Sequence, residues 1–219
     1  SLDVWQHTVE VVSRCDFDMR LRWAALLHDV GKPQCFKRDE LGVGHFKGHA
    51  AVSAEIAKNI LSRLKFSNTD KDFIVSLIKH HYPSPVLSKK SVRRALNKHG
   101  AEIFFALTRL ILADNLGKHT SIHPNESDLK SDDAIRQHCD ELAGIAKEII
   151  DENLCFSLRD LAVNGNDLLD LGFRGSDIGA ALNMLLNAVI DEQVENNRNE
   201  LLNYFRNIYV GDDDKPLNL

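Results

Sequence analysis

The sequence predicts an all-α protein: a helical bundle followed by a smaller helical C-terminal region. Three observations carry this. Apolar residues recur at helical spacing almost throughout the chain. Capping and stopping residues bracket those segments at ordinary helix lengths. No segment alternates apolar and polar residues convincingly, as a half-buried strand requires.

The elements follow in order. Val4, Val9, Val11 and Val12 mark the apolar face of a first helix over residues 4–13. Asp18 caps a second, through Leu21, Trp23, Ala24, Leu26 and Leu27, and Gly31 and Pro33 stop it. A loop rich in charge and glycine follows at 36–44. A third helix runs from Gly48 through Ile56 and Ile60 to Leu64. Thr69 and Asp72 resemble a capping box for a fourth, through Ile74, Leu77 and Ile78, which Pro83 and Pro85 end. Ser88 caps the segment 92–98, Gly100 closes it, and a strongly apolar helix spans 101–116.

The stretch 118–131 turns polar and contains Pro124, which places a domain boundary there, between residues 1–125 and 126–219. The second part opens with a long amphipathic helix over 132–152. Turns follow at Asn164-Gly165 and at 172–175. Ser176 and Asn197 cap the last two helices, and Glu200 completes a box with Asn197. The tail 211–219 is polar and reads as frayed.

Composition narrows the class. Of 219 residues, 43% are hydrophobic, enough for a core without disulfides or a structural metal. A net charge of −5 argues against a nucleic-acid surface over the whole chain, although Lys89, Lys90, Arg93, Arg94 and Lys98 form a local basic stretch. The four cysteines form no C-x-x-C pair and read as free thiols in a reducing compartment. No stretch is long and apolar enough to span a membrane, and a cytoplasmic location is expected. His7 stands so near the start that the sequence reads as a fragment or as a chain that has lost an upstream domain.

The chemistry is concentrated in a few polar residues on core-forming helices. His28-Asp29 ends the second helix in Leu26-Leu27-His28-Asp29-Val30-Gly31-Lys32. Both side chains can reach one ion where the helix unwinds. His7 lies one helix earlier, and Asp114 near the end of the apolar helix in Leu112-Ala113-Asp114-Asn115. Each interrupts an apolar face, where an unpaired charge is costly and metal coordination removes that cost. A lone residue of this kind is more often a hydrogen-bonded core histidine or half of an ion pair. Four of the right type together favour a site.

The order His7…His28-Asp29…Asp114 resembles the H…HD…D signature of the HD superfamily of metal-dependent phosphohydrolases, over about residues 4–116. The resemblance implies an all-α fold with the ion held between helices by His7, His28, Asp29 and Asp114. It also implies a second ion in some members, with Asp29 bridging and His49 plus His80 or His81 completing that site. Signalling phosphodiesterases of this type carry Gly-Tyr-Pro after the paired histidines. His80-His81-Tyr82-Pro83-Ser84-Pro85 stands here instead, which disfavours that subgroup.

The wider text is similar to the HD domain of bacterial tRNA nucleotidyltransferases, the CCA-adding enzymes and poly(A)-polymerase relatives. Asp3-Val-Trp-Gln-His7-Thr, His45-Phe-Lys-Gly-His49, Ser91-Val-Arg-Arg and Leu112-Ala-Asp-Asn carry that similarity. Asn164-Gly-Asn-Asp-Leu-Leu-Asp-Leu-Gly172, Gly175-Ser-Asp-Ile-Gly-Ala-Ala-Leu and Asn196-Asn-Arg-Asn-Glu-Leu-Leu resemble the C-terminal region of the same enzymes. Their catalytic head needs a glycine-rich turn and a strand with two spaced aspartates. Neither is found, and Asp212-Asp213-Asp214 lies in a polar tail, so this chain alone is not expected to add nucleotides.

Imidazole and carboxylate ligands without thiolate suit Mn, Fe, Co, Ni or Zn, and Mg less well; one or two ions per chain are expected. Such an ion ionises water near neutral pH and offsets charge on a phosphate. Asp29 is the expected proton acceptor, Lys32 is placed to reach a phosphate, and Arg93 and Arg94 are expected to clamp one. The resemblance points to nucleotides or RNA-end phosphates as substrates and to tRNA as a partner. The rival expectation is a non-catalytic, tRNA-binding scaffold.

Overall fold

The computed structural model describes residues 3–82, 84–119 and 126–209. Pro83, Pro124 and the tail 211–219, singled out above as stops, a boundary and a frayed end, lie outside these residues. The chain divides into two compact units: Ser1–Leu87 with His99–Gly144, and Ser88–Lys98 with Ile145–Leu219.

The first unit contains α1 (Val4–Arg14), α2 (Met19–Leu27), the short α3 (Lys32–Cys35), α4 (His49–Arg63), α5 (Asn68–His80) and α7 (Ala101–Leu116). Between α3 and α4 a two-residue hairpin pairs β1 (Lys37–Arg38) with β2 (Gly44–His45) in antiparallel register. Strands this short leave no alternating signature, so the sequence reads there as loop. Asp39 closes the hairpin, accepting from the backbone N–H of Leu41 and Val43. Pro33 does not end the chain's helical path, because in the first turn of α3 its missing N–H costs nothing.

Asp3 and Asp18 cap α1 and α2 through their carboxylates. The cap of α5 is Ser67, which accepts from Asp70 N, and not the expected Thr69. The core of this unit gathers Val11, Leu21, Ala24, Ala25, Leu61, Ile74, Leu77, Ile78 and Leu110, each at most 1% exposed.

The second unit contains α6 (Lys89–His99) as far as Lys98, the last turns of α8 (Glu126–Asp151), α9 (Gly165–Asp170), α10 (Ser176–Ile190) and α11 (Arg198–Tyr209). A 3₁₀ turn, Leu158–Asp160, precedes α9. Leu168, Leu185, Leu186, Leu201 and Phe205 form its core. Ser88 caps α6 as expected. Gly175, not Ser176, is the N-cap of α10, whereas Asn197 does cap α11. The helix α8 starts at Glu126, earlier than expected. Asp132 pairs with His119, and His138 with Ser84, so the early part of α8 belongs with the first unit. The two compact units meet at 144/145, inside a continuous helix.

Candidate metal centre

Five helices of the first unit converge on one polar cluster. Its centre is Asp29, only 2% exposed, in the turn that follows α2. His28 precedes it at 1% exposure. His7 comes from α1, Asp114 from α7, His49 from the first turn of α4, and His81 from the end of α5.

The carboxylates and imidazoles are close without forming ordinary hydrogen-bonded pairs throughout. His7 Nε2 lies 3.0 Å from Asp114 Oδ1 and 3.5 Å from Asp29 Oδ2. His28 Nε2 lies 3.3 Å from each of the same two oxygens, yet has no hydrogen-bond partner among the described residues. The other oxygen of Asp29, Oδ1, faces His49 Nε2 at 3.4 Å. Asp29 thus presents one oxygen to each of two groups, His7–His28–Asp29 and Asp29–His49–His81.

Every one of these histidines is oriented the same way. Nδ1 of His7 donates to the carbonyl of Gly117 (2.9 Å), His28 to Ala25 (2.7 Å), His49 to Phe46 (2.9 Å) and His81 to Ile78 (2.7 Å). A carbonyl oxygen only accepts, so the proton of the neutral ring sits on Nδ1 and the Nε2 lone pair is left over. This is the outer-shell arrangement that orients metal-ligating imidazoles. An orphaned buried Nε2 between two carboxylates, with nitrogen and oxygen donors only, fits a divalent cation.

Two glycines permit the convergence. A Cβ on Gly31 would lie 2.6 Å from Ser53 N and 2.9 Å from the His49 carbonyl. Only a bare backbone lets the turn after Asp29 meet the start of α4, where Gly31 N–H donates to Ser53 Oγ at 2.9 Å. A Cβ on Gly117 would lie 2.5 Å from Val11 Cγ2, so that glycine lets α7 approach α1 and accept from His7.

The electrostatics match a cluster short of positive charge. Burial works against a charged His28, but Asp114 and Asp29 outweigh it and raise its pKa to about 9 from 6.5. Burial would raise Asp29, yet His28 and Lys32 hold it down to about 2. Against the same burial, His28 and His7 hold Asp114 well below the usual carboxylate range. Burial pushes His81 below its ordinary value.

Among the expected site residues, His7, His28, Asp29, Asp114, His49 and His81 come together. His80 does not: its Nδ1 donates to Ser76 O and its ring packs on His99 at 4.6 Å. At the C-terminus of α5, adjacent residues diverge, and only His81 turns back into the cluster. Lys32 pairs directly with Asp29. Arg93 and Arg94, expected to clamp phosphate, belong to the second unit and are engaged there. Arg93 is 7% exposed and donates through Nε and Nη2 to the Cys155 carbonyl at 2.8 and 2.5 Å. Arg94 pairs with Asp191 at 2.6 Å. Lys89 and Lys90 of the same stretch pair with Glu148 and Asp191. Lys89, Lys90, Arg93 and Arg94 hold α6 in its unit, because each meets a local acceptor. The sequence reading passed over Ser53, for which the adjacent Gly31 was the available clue.

The chain is 38% identical over 134 residues to the A-adding tRNA nucleotidyltransferase of Deinococcus radiodurans, a match covering 58% of this chain and 30% of that protein. It is 28% identical over 200 residues to the CC-adding tRNA nucleotidyltransferase of Thermus thermophilus, covering 88% of this chain and 42% of the relative. A multifunctional CCA protein of Azoarcus sp. is 31% identical over 97 residues, 43% of this chain and 22% of its own length. The chain thus spans less than half the length of each of these relatives. The HD domain family matches residues 1–145, which include every residue of the cluster, and the chain belongs to that family.

Proposed function

We propose that this chain carries a divalent-metal-dependent phosphohydrolase acting on nucleotides or RNA-end phosphates, working in the cytoplasm beside tRNA. The observation that supports it most is the shared orientation of His7, His28, His49 and His81, each with Nδ1 on a carbonyl and Nε2 left toward the carboxylates. His7, His28, Asp29 and Asp114 would hold a first ion, and Asp29, His49 and His81 a second.

A metal held there would supply Lewis acidity toward water and toward a phosphate oxygen. The protein's own part is positional. The carbonyls of Gly117, Ala25, Phe46 and Ile78 hold the rings in one tautomer. Asp29 accepts a proton from the attacking water. Lys32, paired with Asp29 at the edge of the cluster, would be within reach of a phosphate oxygen.

The test is elemental analysis of the purified protein beside Asp29→Ala. One or two transition ions per chain, lost in the variant, together with phosphate release from RNA ends by the wild type, are expected. Hydrolysis that survives Asp29→Ala sinks the proposal.

A second reading is favoured by the names of the relatives, all nucleotidyltransferase or CCA proteins. In it, this region is a non-catalytic scaffold that contacts tRNA. Protein that takes up no Mn, Co or Ni would favour that reading.

A further inference from the structure

Beside the cluster, the hairpin between α3 and α4 carries an arrangement that the metal chemistry does not use. Asp29 pairs with Lys32, and Lys32 Nζ stands 5.7 Å from the centre of the Phe46 ring. Phe46 packs against Phe36 with ring centres 5.5 Å apart and planes tilted by 40°. The Arg38 guanidinium lies 5.9 Å from the Phe36 ring. Cation, ring, ring and cation therefore follow one another from the candidate metal centre out to the hairpin edge.

The order is built, not incidental. Phe36 and Arg38 are two residues apart along an extended segment and share a face. On that face the facing residue is Gly44, and the Phe36 ring lies 2.6 Å from where a Cβ on Gly44 would stand. Gly44 leaves room for the ring to lie flat. The His49 ring, in turn, is bonded to the Phe46 carbonyl, which ties the outer ladder to the cluster.

The charge on the hairpin is directed outward. Asp39, the nearest acid, is spent within the turn on Leu41 N, Val43 N and His45. Lys37, Arg38 and Lys47 are exposed and make no ion pair among the described residues; Glu40, at the tip, is the exposed acid that opposes them. Phe36 is 47% exposed, so part of its ring is open to a ligand. Alternating aromatic faces and cations suit unstacked bases on a phosphate backbone, and inside a duplex every base face is taken by its neighbours.

We propose that the hairpin 36–48 is a platform for a single-stranded RNA end. A base stacks on Phe36, Arg38 and Lys37 meet backbone phosphates, and the ladder leads the terminal phosphate to Lys32 and the cluster. This rests on the phosphohydrolase reading for its purpose, but not for its test.

The test is fluorescence anisotropy of the full chain, in EDTA, with a labelled single-stranded RNA octamer bearing a 3′-phosphate. Phe36→Ala is expected to weaken binding about tenfold with its salt dependence unchanged, as loss of one stacked base requires. Arg38→Ala, an exposed change that leaves the Lys37–His45 pairing in place, is expected to weaken binding and lower the salt slope by about one. The blunt duplex of the same sequence is expected to bind more weakly than the strand. No binding by the wild type, variants that bind as it does, or a duplex bound as well as the strand would each overturn the platform. A wild type that binds the strand but releases no phosphate from it with Mn, Co or Ni would sink the hydrolase reading and leave the platform standing.

Discussion

At the scale of single residues, the cluster turns on which lone pairs are left over. His81 and His80 are adjacent and chemically identical, yet only His81 directs Nε2 toward Asp29 and His49. His81→Ala is therefore expected to lower the number of Co or Mn ions retained after dialysis, and His80→Ala to leave it unchanged. Elemental analysis of the pair decides, and equal losses would remove His81 from the site. In the sequence the two histidines were indistinguishable, because the turn after α5 determines their direction.

The same residues set a pH dependence whose sign can be worked out. His28 rises from 6.5 to about 9 in the metal-free fold. A raised pKa contributes stability that is fully present below pH 6.5 and is lost as pH rises through 9. Asp29, lowered from 3.8 to about 2, contributes above pH 3.8 and loses that contribution as pH falls through 2. EDTA-treated protein is expected to lose Tm between pH 6.5 and 9. With Mn or Co present the trend reverses over that range, because metal binding favours deprotonated ligands. Calorimetry at several pH values checks this; a metal-free Tm that rises from pH 6.5 to 9 contradicts it.

At the scale of elements, the glycines carry the most information. Gly31 looks in sequence like an ordinary helix stop. In the fold it is the point where the turn after Asp29 meets α4, and a side chain there strikes backbone at Ser53. Gly31→Ala is expected to cost about 1–3 kcal/mol, as overpacking does. It should also weaken metal binding, because α4 carries His49. Thermal melts and metal titration measure the two effects separately. Undiminished metal affinity would mean that His49 follows the backbone shift. The hairpin was illegible for a different reason: two paired residues on each side cannot show a period. The helices themselves were legible because their apolar positions repeat over several turns and their caps are local.

At the scale of the whole molecule, the cysteines report on packing. Burial raises the thiols of Cys15, Cys139 and Cys155 to about 11 from 9.0. Cys35 is only half-buried, and all four are free. Thiol labelling of native protein at pH 8 is expected to modify Cys35 first and the other three only on unfolding, which mass spectrometry can follow. Rapid labelling of Cys139 or Cys155 would contradict the packing around α8 and the second core.

The sequence by itself determined the all-helical class, most helix positions, and the residues His7, His28, Asp29 and Asp114 as a set. These are written in local periodicity, local caps and residue chemistry, none of which needs distant contacts. Only the tertiary structure decided that α6 is drawn into the second unit, that α8 runs through the division, and that Arg93 and Arg94 hold their own unit together. It also decided that His81 joins the cluster and that Phe36, Phe46 and Arg38 line up beside it. Those outcomes depend on which side chains meet across many intervening residues, and on where a ring or a cation finds its nearest acceptor.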